Sequence, residues 1–61
     1  MSEKAVLEKE VAYHRARVEE LEALLRGVED NDQAAALLRM ELKGRSAAVE
    51  IGTARLRYLR D

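Results

Sequence analysis

Apolar residues recur along this chain at helical spacing, as one stripe in the first half and as two in the second. Leu7, Val11, His14, Val18, Leu21 and Leu25 alternate by four and three, the narrow seam of a coiled-coil helix whose other faces are polar. In the second half, at about 100° per residue, Leu38, Leu42, Val49, Gly52, Leu56 and Leu59 form one stripe. Leu37, Met40, Gly44, Ala47, Ala48, Ile51, Ala54 and Tyr58 form a second. One partner helix covers only one stripe. The second stripe therefore calls for a further neighbour, either another copy of the chain or a partner helix of a larger assembly.

The seven-residue register of the first half does not continue into the second. Carried past Leu25 and Val28 it falls on Asp32, Arg39 and Ser46, whereas the second half's own stripe includes Ala35, Leu38 and Leu42. The break coincides with Gly27 to Gln33, which reads as stop, turn and start. Gly27 suits the left-handed position after Arg26, and Asp30 with Gln33 has capping-box spacing for a new helix. At the other end, the Ser2 hydroxyl is placed to cap the first turn, with Met1 stapling onto Val6.

These signals predict an all-α chain forming a single helical-hairpin domain over 1–61. Its helices run over about 3–27 and 31–60, joined by a turn at about 28–31. The rival architecture is one continuous helix of roughly 85 Å in a long coiled coil. Two hairpins pairing as a homodimer make a four-helix bundle. The interface expected for it consists of Leu37, Met40, Gly44, Ala47, Ala48, Ile51, Gly52 and Tyr58. In the second helix the row Ala36, Met40, Gly44, Ala48, Gly52 repeats every four residues with small side chains, permitting a close helix approach.

Composition sharpens this picture. The 61 residues include no Pro, no Cys and 38% charged side chains, the profile of long helices without disulfides. So short a chain has a marginal core, which regular helix packing and oligomerisation can supplement. Residues 1–30 carry eight acids and five bases, and residues 31–61 carry four acids and six bases, giving −3 and +2. Complementary halves favour antiparallel helix pairing over a general nucleic-acid face. With no long apolar run and no hydrophobic leader at the start, the expectation is a cytoplasmic protein away from membranes. Arg outnumbers Lys eight to three, a bias associated with a GC-rich bacterial or phage genome.

Candidate chemistry is sparse. The lone histidine, His14, sits on the seam, where a polar residue sets register or oligomer state; it has no companion ligands at metal spacing. Glu19, Glu20 and Glu22 point to different parts of a solvated surface. No nucleophile–base pair, P-loop or dinucleotide motif is present, so no catalytic, cofactor-binding or metal-binding residue is expected. Arg39, Lys43, Arg57 and Arg60 share one face of the second helix and could meet phosphates. Against that, Arg55, Arg57 and Arg60 complement the negative end of the helix, and Glu41–Arg45 and Glu22–Arg26 have ordinary ion-pair spacing.

The length, two-helix layout and acidic turn resemble the Rop family of plasmid copy-number regulators, with the local match covering Val28 to Ala34. The resemblance implies a hairpin dimerising into a four-helix bundle that binds paired RNA loops. That family's RNA face includes a phenylalanine on the first helix; this chain has none, and Tyr13 is the nearest substitute. Asn31 through Leu42, with Leu38-Arg39, is also similar to the UVR interaction hairpin of excision-repair proteins, although the preceding spacing departs from that pattern. The leading functional expectation is a small non-enzymatic oligomerisation or protein-interaction module. The alternative is a Rop-like, nucleic-acid-binding dimer.

Overall fold

Ser2 and Asp32, each in an extended conformation, start the two helices of this chain. The computed structural model describes residues 2–30 and 32–59; the Met1 staple and Arg60 lie outside the described residues, as does Asn31. The Ser2 hydroxyl accepts from the Ala5 N–H at 3.0 Å, satisfying a first-turn donor that has no partner inside the helix. Helix α1 runs over Glu3–Arg26 and helix α2 over Gln33–Tyr58. They pack side by side as a hairpin whose Cα trace measures 46 × 15 × 12 Å, which excludes one continuous rod.

The turn uses different residues from those the cap chemistry predicts. Gly27 ends α1 with φ −95° and ψ −2°, not in the left-handed region, and its N–H donates to the Leu24 carbonyl at 3.0 Å. The Val28 N–H reaches the Leu25 carbonyl at 3.4 Å, so a tightened last turn takes up the carbonyls that a left-handed residue would have capped. Asp32, not Asp30, caps α2. Its carboxylate accepts from the Ala34 N–H at 2.9 Å, and its carbonyl accepts from Ala35 at 3.0 Å. Asp30 is engaged elsewhere: Arg39 Nη2 donates to its Oδ1 at 3.0 Å and Nη1 to its carbonyl at 3.4 Å. The capping-box expectation is thus corrected by two residues, and α2 starts at Gln33.

Losing the true cap should cost more than losing the surface pair. Asp32→Ala is expected to destabilise the hairpin by about 1 kcal/mol. Asp30→Ala, which breaks an exposed ion pair, should cost less than about 0.5 kcal/mol. Thermal melts of the two variants check the assignment, and a reversed order would refute it.

The core is the meeting of two seams. Val11 and Leu21 of α1 and Ala35 and Gly52 of α2 are buried, flanked by half-buried Leu7, Val18, Leu25, Leu38, Leu42, Val49, Leu56 and Leu59. Gly52 is a point of close approach. A Cβ there would run into a methyl of Val11 and lie 3.9 Å from Leu7 Cδ1. Its glycine is therefore required by the pairing of α1 with α2, and it is withdrawn from the expected interface between chains. Gly44, eight residues earlier, would place a Cβ in open space.

Candidate interaction surface

Each seam carries one polar residue, and the fold brings the two together. His14 is the polar position of the α1 seam, and Arg45 is that of the α2 seam, which runs Ala35, Leu38, Leu42, Arg45, Val49, Gly52, Leu56. Arg45 Nη1 donates to His14 Nδ1 at 3.0 Å. A guanidinium has only donors, so Nδ1 is the acceptor and the ring proton resides on Nε2. Arg45 also lies over the Tyr13 ring, 5.4 Å from its centroid, and 3.6 Å from a Glu41 carboxylate oxygen, as the Glu41–Arg45 spacing predicts.

Glu41 ties the clasp back to α1. Arg17 Nε donates to its Oε2 at 3.2 Å and Nη1 reaches Glu20 at 3.4 Å, so the chain Glu20, Arg17, Glu41, Arg45, His14 crosses between the helices twice. The hydrogen bond and charge of Glu41 raise the Arg17 pKa above its ordinary value. A seven-residue slip of α2 would separate Arg17 from Glu41 and set His14 against leucine or glycine. The clasp thus selects one register. Sequence reasoning anticipates His14 as a register residue but misses its partner, whose signal was being the lone charge on an otherwise apolar seam.

The second stripe of α2 is left uncovered. Leu37, Met40, Gly44, Ala47, Ile51, Ala54 and Tyr58 alternate by three and four, each two residues beyond a core-seam position, and all are exposed. Two residues correspond to about 200° around the helix, which turns this second seam away from α1. Met40 is 71% exposed, Ile51 54% and Tyr58 86%. The same offset on α1 gives Lys9, Tyr13, Ala16, Glu20 and Ala23, a row interrupted by charges. Only α2 has two apolar seams. Of the expected interface, Leu37, Met40, Gly44, Ala47, Ile51 and Tyr58 share this surface, Ala48 is half-buried at its edge, and Gly52 lies inside the hairpin.

Of the basic face, Arg39, Lys43 and Arg57 are exposed. Arg39 is held by Asp30, and Glu50 stands seven residues from both Lys43 and Arg57 on their side of the helix. Among the described residues, no three His, Cys, Asp or Glu side chains are grouped to hold a metal ion, and no helix is long and apolar enough to cross a membrane.

The chain matches no family model, and comparison with curated proteins and with solved structures finds no similar protein. The resemblances in the turn region stand on their local residues alone.

Proposed function

We propose that this protein is a small non-enzymatic helical module that works by binding another helix along the second seam of α2, as an oligomerisation or adaptor unit. The observation that carries this reading is the run of seven exposed seam positions without a charge among them. Large apolar side chains in one continuous row lose contact with water when a second helix packs over them, at about 25 cal/mol per Å² buried. Heptad spacing specifies the shape of the occupant, because side chains alternating by three and four interlock with another helix. Nucleic acid is the poorer fit, since Asp30 occupies Arg39 and Glu50 divides the remaining cations.

The test is affinity capture from the native host with the wild-type chain, Ile51→Lys, and Glu22→Lys as a control on the polar side. A lysine buried unpaired in the seam should cost about 3 kcal/mol or more, a loss of at least about a hundredfold in affinity. Whatever the wild type binds, itself included, should be lost from Ile51→Lys and kept by Glu22→Lys. Equal capture by all three would refute the reading.

A further inference from the structure

We infer that the occupant of the second seam is a second copy of α2, packed antiparallel about a two-fold axis between Gly44 and Ala47. This rests on the reading of the seam as a helix-binding surface. The first support is the size profile. Helix α2 spans Gln33–Tyr58, so its midpoint falls between Arg45 and Ser46. The smallest adjacent seam residues, Gly44 and Ala47, flank that midpoint, with Leu37 and Met40 on one side and Ile51 and Tyr58 on the other. Two helices crossing at an angle are closest at the crossing and diverge beyond it. A narrow waist at mid-helix with larger side chains on both sides therefore fits the same profile reversed. With Gly44 against Ala47 of the partner subunit, Met40 meets Ile51 of the partner subunit and Leu37 meets Ala54 of the partner subunit.

Gly44 supplies the second support. A glycine inside a helix costs stability relative to alanine. Gly52 is accounted for by Val11, whereas nothing in the hairpin approaches Gly44. A close crossing of a second backbone would use the space that Gly44 leaves open.

The flanking charges suit the antiparallel direction. Lys43 and Glu50 flank the seam on one side, both exposed. Antiparallel two-fold pairing sets Lys43 opposite Glu50 of the partner subunit, and the symmetry makes that pair twice. Parallel pairing would instead set Glu50 opposite Arg55 of the partner subunit, also twice, and leave Lys43 facing Ala48 of the partner subunit, so the two alignments differ in which cation meets Glu50.

Charge exchange tests this directly. Sedimentation equilibrium of the full chain should show a wild-type dimer. Lys43→Glu and Glu50→Lys should each weaken self-association about tenfold, because each converts two attractive contacts into two repulsive ones. An equimolar mixture of the two variants should form mixed dimers at wild-type strength, since every contact becomes attractive again. Circular dichroism confirms that both variants remain helical. A wild-type monomer at high micromolar concentration would overturn the second copy, and so would variants that weaken association but are not rescued by mixing. Sensitivity to Arg55→Glu with indifference to Lys43→Glu would overturn the antiparallel alignment. A monomer that still loses captured partners on Ile51→Lys would overturn only this inference. A dimer indifferent to Ile51→Lys would overturn the seam reading itself.

Discussion

Leu21→Ala should melt the hairpin at room temperature or close to it. Among the described residues Leu21 is the one large side chain with no exposed surface, and removing most of it leaves a cavity costing about 2–5 kcal/mol. A domain of this length has about 3–9 kcal/mol in total, at roughly 0.05–0.15 kcal/mol per residue. One truncation thus removes a large part of the whole. Leu24→Ala, three residues on and half-exposed in the hairpin, should cost less than half as much. Circular-dichroism melts measure both. Equal losses would show that α1 presents a different face to α2.

Alanine at the two internal glycines of α2 should have opposite effects. Helix propensity alone favours alanine at either place by about 1 kcal/mol. At Gly44 the added methyl meets nothing within the hairpin, so Gly44→Ala should stabilise the folded chain by about that amount. At Gly52 the methyl collides with Val11, forcing the helices apart there. Overpacking of this kind costs about 1–3 kcal/mol, so Gly52→Ala should be destabilising or at best neutral despite the better propensity. Melting at several protein concentrations separates hairpin stability from any association. Stabilisation by both substitutions would disprove the tight contact at Gly52.

Periodicity carried most of the fold because it reports a global demand that each residue makes weakly and many make together. The seam Leu7, Val11, Val18, Leu21, Leu25, the break in register and the Ser2 cap were all legible on that basis. What escaped were choices among near-equivalent local partners. Asp30 and Asp32 can each cap a helix, and only the Arg39 side chain folding back onto Asp30 settles which one does. Gly27 can turn left-handed, but two three-residue hydrogen bonds end α1 without it. Gly52 belongs to both the core stripe and the small-residue row, and its placement depends on how closely Val11 approaches. The Arg17–Glu41 pair joins residues 24 apart in sequence, beyond any local pattern. The second seam, by contrast, was legible as a stripe.

The cross-links between the helices also order the events of folding. Arg39 and Asp30 are nine residues apart, Arg17 and Glu41 24, His14 and Arg45 31, and Arg15 and Thr53 38. The entropy of closing a loop grows with its length, so the turn closes first at the least cost. Every later pair then closes only the small extra loop beyond the pair before it. Folding should therefore proceed as a zipper from Asp30 and Asp32 toward Ser2 and Tyr58, with the open end the last part to form and the first to fray.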